Sequence, residues 1–361
     1  MSRVGESETA SAAPPESSVS STPSDATVAA APVIEIAGME AVERAASLLR
    51  EGALVAFATE TVYGLGADAC NPAALQRLYR VKHRPAAHPV IVHIADAAEL
   101  PHWVAQVSAH AQKLADTFWP GPLTLVVKRA EHVADEITGG QDTVALRVPR
   151  HPLALALLGA MRGVDDAQRP SGIAAPSANR FGKISPTSAE HVRADLGTDI
   201  DLILDGGDCE VGIESTIVDV TGELPVILRP GRVSAAQIEN CLGVSLTAPT
   251  NASPVAPGSL PQHYAPRAKA KLVKRVQIIE QLATNRSRRI AVLALEVSVP
   301  RLAAALTAVE PAVPSSYAHS LYANLRRLDG SGADLILIET PPDTPGWAAV
   351  LDRLRRATRS D

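Results

Sequence analysis

Two spacings of apolar residues alternate along the chain from about residue 33 onwards. Apolar positions at helical spacing predict helices, and short apolar runs bounded by turn residues predict buried strands. Helices are predicted in the first part of the chain at 38–52, 71–82, 108–119, 151–161 and 188–197. Strands are predicted at 53–59, 88–94, 123–129, 143–149, 172–177, 201–207, 215–222 and 225–231. These elements predict an α/β fold.

The composition changes near residue 244, where Thr, Ala, Pro, Ser and Asn become dominant up to residue 262. That composition is typical of a linker. Beyond it, strand and helix patterns alternate over 269–285, 288–297, 316–332, 333–340 and 347–357. The alternation predicts a smaller, Rossmann-like α/β domain with a mainly parallel sheet, which does not by itself imply a cofactor. The predicted boundaries are a tail at 1–32, a first domain at 33–243, a linker at 244–268 and a second domain at 269–361.

Length and composition restrict the class of protein. The chain has 361 residues, 46% of them hydrophobic, which is enough for two domain cores. A net charge of −5 argues against a protein whose whole surface binds nucleic acid, so an anionic ligand needs a local basic patch. Cys70, Cys209 and Cys241 have no CxxC spacing, which is typical of a reducing compartment and indicates neither a disulfide framework nor a zinc site.

The first 32 residues are rich in Ser, Ala, Pro and Thr and lack the basic and apolar segments of a secretory signal. We therefore expect a disordered tail at 1–32. No apolar run reaches the length of a membrane span, so we expect a cytoplasmic protein without membrane contact.

A GxGxxA pattern at 64–69 formally matches a dinucleotide-binding turn. Such a turn needs an acidic residue about 20 positions further on, to bind the ribose hydroxyls. No Asp or Glu occurs between Ala69 and Ala95, and residues 59–63 separate the glycines from the preceding predicted strand. A second pattern, Gly-Lys-Ile at 182–184, lacks the hydroxyl residue and the upstream glycine of a P-loop. Neither motif therefore predicts a nucleotide site.

A basic cluster of Arg77, Arg80, Lys82 and Arg84 follows the glycines. Pro85 favours an extended Arg84, and in an extended segment Lys82 and Arg84 point to the same side. Two neighbouring cations without an acidic partner predict a phosphate clamp. The alternative is an ordinary solvated helix face.

Seven segments together resemble the YrdC-like family, in order and in character. They are TETVYGLGADA, KHRPAAHPVIVHI, PGPLTLVV, VALRVP, APSANRFGKISPTSAEHV, GGDCEVGIESTIVD and ILRPG. The linker sequence APGSLPQHYAPRAK and the second α/β domain resemble the longer form of the family, the L-threonylcarbamoyladenylate synthases. The resemblance covers the chain from about residue 35 to its end. It implies a twisted open sheet with a concave basic face in the first domain.

The resemblance implies a reaction in which ATP, L-threonine and bicarbonate or CO2 form threonylcarbamoyl-AMP and pyrophosphate. Mg2+ is implied on the ATP phosphates, without a direct side-chain ligand. The implied partner is the threonylcarbamoyl-transferase machinery that makes N6-threonylcarbamoyladenosine (t6A) in tRNA. No protein nucleophile is required, and the chain shows no convincing Ser-His-Asp or Cys-His arrangement.

Site residues are carried over by motif. The catalytic positions are Lys82 and Arg84. The nucleotide positions are Arg84, His88, Thr143, Ser177, Asn179, Ser185, Arg229 and Tyr264. The threonine positions are Thr61, His93, Arg147, Ala175 and Ser215, of which Ala175 offers only its backbone. The family often has Asn at the position of His88, and His93 has the alternative of a satisfied strand histidine.

Two other functions are alternatives to that of the synthase. The concave basic face predicts possible affinity for double-stranded RNA, so the rival function is an RNA-binding module. A carbamoyltransferase-type maturation factor normally carries zinc fingers, which the cysteine count excludes.

His263 and Tyr264 lie between prolines, and an aromatic pair in a stiff spacer needs a packing surface. The linker is therefore expected to fold back over the cavity as a lid, while Tyr63 is expected to pack in the core.

Overall fold

A computed structural model describes residues 33–36, 38–162, 170–285, 287–295 and 306–359. Its strands are β1 (Val33–Ile36), β2 (Val55–Phe57), β3 (Gly64–Asp68), β4 (Ile91–His93), β5 (Leu123–Lys128), β6 (Thr143–Arg147), β7 (Ile173–Ala174), β8 (Leu202–Asp205), β9 (Thr216–Asp219), β10 (Val226–Arg229), β11 (Lys269–Val273), β12 (Ile290–Leu295), β13 (Leu306–Glu310) and β14 (Leu335–Glu339). Its α-helices are α1 (Met39–Arg50), α2 (Pro72–Lys82), α3 (Ala109–Phe118), α4 (Asp135–Thr138), α5 (Pro152–Met161), α6 (Ala189–Leu196), α7 (Ala235–Leu242), α8 (Arg275–Thr284), α9 (Pro314–Gly330) and α10 (Ala348–Ala357). The predicted tail at 1–32 and the end of the predicted 288–297 strand lie outside the described residues.

The strands form two sheets. A ten-stranded mixed sheet has the order β1-β8-β2-β3-β7-β4-β6-β5-β9-β10. A four-stranded sheet has the order β11-β14-β12-β13, and each of its three strand pairs is parallel. The α/β fold class and the second, mainly parallel sheet are therefore confirmed.

Helix α2 shows how local sequence sets the elements around the basic cluster. Asn71 caps its start by accepting hydrogen bonds from two backbone N–H groups, and Pro72 occupies the first turn. His83 ends the helix in the left-handed conformation, at φ 52°. Lys82 is therefore helical, and the prediction of an extended segment through Lys82 and Arg84 is wrong. The left-handed cap at His83 ends the helix before Arg84.

Both glycines of the 64–69 pattern, Gly64 and Gly66, lie on β3, a strand that the sequence pattern does not predict. Strand β3 pairs antiparallel with β2 and with β7, so these glycines form no phosphate-binding turn. A Cβ on Gly66 would lie 2.8 Å from Cγ2 of Ile173 and 3.0 Å from the Val55 carbonyl oxygen, so glycine allows the strands to pack closely here. Strands β1 and β13 and helices α4 and α7 were also not predicted.

Four apolar clusters of the described residues support the sheets, and two of them are large. The larger one packs α1 and α5 against the ten-stranded sheet and includes Tyr63, as expected, whose hydroxyl donates to Asp205 and to the Gly207 carbonyl. The second core combines α9 and α10 with residues of the first domain, among them Val62 and Ile213, and with the linker residue Tyr264. The second domain and the linker thus pack directly on the surface that carries the predicted site. None of the described helices is long and apolar enough to cross a membrane.

Candidate active site

One cavity gathers most of the predicted site residues. The predicted residues that line it are Thr61, Arg84, His93, Arg147, Ala175, Ser177, Ser215, Arg229 and Tyr264. The other residues that line it are Thr59, Val62, Gly64, Ile91, Pro176, Glu214, Pro257, Gly258 and His263. All five residues predicted for threonine are therefore brought together, although their roles remain predictions.

Arg147 lies at the end of β6 and is fixed by contacts within the first domain. Its Nε donates to the Gly121 carbonyl (3.1 Å) and its Nη1 to the Thr61 hydroxyl (2.9 Å). Its Nη2 lies 2.7 Å from a carboxylate oxygen of Glu60, close enough for an ion pair but without hydrogen-bond alignment. The guanidinium is therefore held in place at the cavity wall before any ligand binds. Glu60 was not predicted.

His93 lies beside Arg147, because β4 and β6 are parallel neighbours in which these two residues are paired. Burial, and secondarily the charge of Arg147, lower the pKa of His93 to about 3. The imidazole is therefore neutral near pH 7. Its Nδ1 is buried without a hydrogen-bond partner, which is unusual for a structural histidine. A ligand group at this position would satisfy it.

Ser215 and Arg229 connect the sheet edge to the linker. Arg229 donates from Nε and Nη2 to the Ser215 carbonyl and from Nη2 to the Ser215 hydroxyl (3.0 Å). Its Nη1 donates to the Pro257 carbonyl (3.0 Å). The Ser215 and Thr124 hydroxyl oxygens lie 2.7 Å apart. Burial lowers the pKa of Arg229, so an anion in the cavity would relieve an unfavourable burial of charge.

The two predicted catalytic cations differ in their surroundings. Arg84 lines the cavity, donates to the carbonyls of His88 (3.2 Å) and Pro89 (2.6 Å), and lies 5.3 Å from the ring centroid of Phe181. Lys82 does not line the cavity, since its ammonium donates to the carbonyls of Ser177 and Asn179. Burial, reinforced by Arg84, lowers the pKa of Lys82 well below its ordinary value. In this structure Lys82 supports the 177–179 loop from behind.

Four predicted nucleotide residues lie outside the cavity lining. His88 packs against Phe181, and Thr143 is buried at the start of β6. Asn179 donates to the carbonyls of Arg180 and Lys183, while its Oδ1 is buried without a hydrogen-bond partner. The Ser185 hydroxyl donates to Glu214 (2.5 Å). For Asn179 and Ser185, the contacts present here are with the protein itself.

The linker folds back over the cavity, and Tyr264 is its central contact. Tyr264 is buried and adopts a left-handed conformation at φ 61°. Its hydroxyl has no hydrogen-bond partner. The backbone of Gly258 passes so close that a Cβ there would lie 2.3 Å from this hydroxyl. The linker therefore closes one side of the cavity, as the lid hypothesis expects.

Glu60 and Glu214 are the site residues that sequence reasoning missed most clearly. Each carboxylate directly precedes a predicted threonine residue, Thr61 or Ser215. An acid next to a predicted ligand residue was the available signal. Both act here by holding arginines, Glu60 with Arg147 and Glu214 with a residue of α10.

A cavity lined by three arginines on a mixed sheet, bounded on one side by a linker to a second α/β domain, is typical of α/β proteins that bind anionic ligands. Residues 47–231 match the family model of Sua5, YciO and YrdC, described as telomere recombination. Residues 233–358 match the family model described as the threonylcarbamoyl-AMP synthase C-terminal domain.

Relatives match along most of their length. The threonylcarbamoyl-AMP synthase of Bacillus subtilis is 40% identical over 329 residues, which is 88% of this chain and 92% of the relative. That of Pyrococcus abyssi is 40% identical over 328 residues, 87% of this chain and 93% of the relative. The crystal structure of P. abyssi Sua5 complexed with L-threonine superimposes with a TM-score of 0.82 at 38% identity, covering 91% of this chain and 96% of that one. The chain therefore belongs to the threonylcarbamoyl-AMP synthase family of enzymes, in its two-domain form.

Proposed function

We propose that this protein condenses L-threonine, bicarbonate or CO2, and ATP to threonylcarbamoyl-AMP and pyrophosphate. The observation that carries the proposal is the convergence of Thr61, His93, Arg147 and Ser215 on one cavity that Arg84 and Arg229 also line. The relative from P. abyssi, whose structure contains L-threonine, supports the amino acid as substrate.

The chemistry suits such a cavity. The amine of threonine adds to CO2 to give a carbamate, whose oxygen attacks the α-phosphorus of ATP and displaces pyrophosphate. Both reactants are anions, so the barrier is largely electrostatic and entropic. Fixed cations offset the repulsion, and one cavity supplies the orientation. No protein nucleophile is needed.

The threonine half of the cavity offers a complementary group for each polar part of the substrate. The fixed guanidinium of Arg147 would bind the carboxylate of threonine. On the nucleotide side, Lys82 and Arg84 are the predicted catalytic residues. The neutral imidazole of His93 and the hydroxyls of Thr61 and Ser215 would bind the side-chain hydroxyl or the amine. Under the linker, the carbamate would be shielded from water.

Mg2+ fits this arrangement as a companion of ATP. Among the described residues, no group of three or more His, Cys, Asp or Glu side chains could hold a metal ion. Glu214, the carboxylate at the cavity, is already engaged by Ser185 and two residues of the second domain. Three arginines, Arg84, Arg147 and Arg229, line the cavity, and arginines suit phosphates rather than a metal ion. We therefore propose that the nucleotide phosphates hold Mg2+, which would neutralise charge on them.

The product is a reactive mixed anhydride, so it needs an acceptor. We propose that the threonylcarbamoyl-transferase machinery that modifies tRNA to t6A consumes it, which would place the reaction in the cytoplasm. The rival function, a double-stranded RNA-binding module, predicts RNA affinity that falls steeply with salt and needs no ATP.

Pyrophosphate release tests the proposal. With ATP and bicarbonate, release should require L-threonine. L-2-aminobutyrate, which lacks only the hydroxyl, should react at least about 10²-fold less efficiently, because its binding would leave buried polar groups unpaired. L-serine measures the contribution of the methyl group. Pyrophosphate release that is independent of threonine would reject the proposed reaction, and RNA binding without such release would favour the rival.

A further inference from the structure

A buried ion pair joins the second domain to the wall of the cavity. Arg353 of α10 donates from Nε to a carboxylate oxygen of Glu214 at 2.7 Å. The side chain of Arg353 is 1% exposed and that of Glu214 is 9% exposed. Arg353 also donates to Asp352, its neighbour in the chain (2.7 Å). The carboxylate at the cavity thus depends on a cation from a different domain.

Two hydroxyls complete the coordination of the Glu214 carboxylate. Ser185 donates to one oxygen, and Tyr322 of α9 donates to the other at 3.0 Å. Burial alone would raise the pKa of Glu214. The charges of Arg353 and Arg229, with the hydrogen bonds from Ser185 and Arg353, outweigh it and lower the pKa to about 2. The carboxylate is therefore ionised and immobile, which suits a structural anchor better than a proton carrier.

The same two second-domain residues hold the linker. The guanidinium carbon of Arg353 lies 5.2 Å from the ring centroid of Tyr264. The Tyr322 ring stacks on Tyr264 with centroids 5.8 Å apart and planes at 27°. A left-handed tyrosine such as Tyr264 is strained and persists only where its surroundings hold it. Arg353 and Tyr322 supply those surroundings.

On the threonine side, the hydrogen bonds and the ion pair of Arg147 among the described residues do not involve the second domain. The contacts that fix Arg147 come from Gly121, Thr61 and Glu60, all within the first domain. Loss of Arg353 would therefore release the linker side of the cavity and leave the contacts of Arg147 intact.

We propose that Arg353 is a positioning residue that fixes Tyr264 and Glu214 on the nucleotide side of the cavity. This inference rests on the proposed function. It gives the second domain a role in the reaction: the domain holds the closed linker from behind. A buried ion pair is by itself weak evidence for stability, so the alternative is a contact that serves folding only.

The experiment compares Arg353→Gln and Arg353→Lys with Arg355→Gln. Arg355 lies on the same helix, is 60% exposed at its side chain and has only a 3.4 Å contact with Asp343, so it is a matched control. Arg353→Gln should raise KM for ATP at least about tenfold while KM for threonine stays within about twofold. Arg353→Lys, which keeps the charge but not the planar fork, should recover part of the loss. Arg355→Gln should match the wild type.

Hydrogen–deuterium exchange of the ligand-free protein provides a readout that is independent of activity. Amides at 257–264 should exchange faster in Arg353→Gln than in Arg355→Gln, while amides of β6 stay unchanged. Equal changes in both KM values, or no change in the ATP KM and in exchange, would overturn the inference. If Arg353→Gln does not fold, Arg353→Lys and Tyr322→Phe decide by the same criteria. If the wild type releases no pyrophosphate, the proposed function fails, and exchange alone still tests the inference.

Discussion

Substitution of Gly258 by alanine should displace Tyr264 and impair the reaction. Gly258 has φ +81°, and an added Cβ would lie 2.3 Å from the Tyr264 hydroxyl and 3.2 Å from Arg229 Nη1. An ordinary contact of 3.4 Å or more requires the hydroxyl to move by about 1 Å. The ring has little freedom to do so, because Tyr322 and Arg353 pack against it. A displacement of this size in an active site can cost about 10²-fold in rate.

The backbone cost must be separated from the displacement of the tyrosine. Gly140 also has φ +81°, but a Cβ there would meet nothing within 4 Å. Gly140→Ala therefore carries the same left-handed penalty of about 1 kcal/mol without the clash. We expect both variants to lose similar thermal stability, and Gly258→Ala alone to lose about 10²-fold in kcat/KM for ATP, measured by threonine-dependent pyrophosphate release. If the two variants were equally active, the Tyr264 hydroxyl would not be fixed where the structure shows it.

Three further predictions concern other contacts of the cavity. Arg147→Lys keeps the charge but loses the fork between Gly121 and Thr61, so kcat/KM for threonine should fall about 10²-fold in initial-rate measurements, with KM for ATP unchanged. Ser215→Ala removes the hydroxyl that accepts a hydrogen bond from Arg229 and should lower kcat/KM for threonine about tenfold. Burial lowers the pKa values of His93 and His263 to about 3, so as the pH falls the unfolded state takes up their protons near the ordinary histidine pKa of 6.5, well before the folded state does. Stability measured by urea unfolding should therefore be full above pH 6.5 and decline as the pH falls towards 3, and less so in His93→Gln.

Each of these predictions has a contrary outcome. An unchanged threonine kcat/KM in Arg147→Lys would mean that the fork is not used. A Ser215→Ala variant that changes only Tm would assign the hydroxyl to folding. A midpoint of urea unfolding that stays constant from pH 7 to pH 5 would show that the two histidines titrate alike in the folded and unfolded states.

Most elements were predictable because local patterns determine them. Helix α1 buries Ala41, Val42 and Leu49 on one face, and β12 is a continuous buried run, so both appear in the apolar spacing. Strand β3 does not appear in the apolar spacing, because its two glycines weaken the strand pattern. The close packing of neighbouring strands nevertheless requires a glycine at position 66. The extended segment through Lys82 was wrong because a histidine took the left-handed cap, where glycine is more usual.

The site residues of the first domain were predictable from sequence motifs, whereas the contacts of the site with the second domain were not. Residues carried over by motif converge where they lie near one another in the ten-stranded sheet, as His93 and Arg147 do. Contacts across the domains were not predictable, since Arg353 is 139 positions from Glu214 and Tyr322 is 108 positions from it. No spacing rule relates residues that far apart. Their pairing depends on how α9 and α10 pack on the first domain.

The central claim is that one cavity brings threonine, as its carbamate, to the α-phosphorus of ATP. Mass spectrometry of a reaction with 13C-bicarbonate, ATP and L-threonine tests it most directly. We expect a threonylcarbamoyl-AMP that carries the label, formed in step with pyrophosphate and lost together with it in an Arg84→Gln, Arg147→Gln double variant. Pyrophosphate without a labelled adenylate, or a labelled adenylate at the wild-type rate from the double variant, would contradict it.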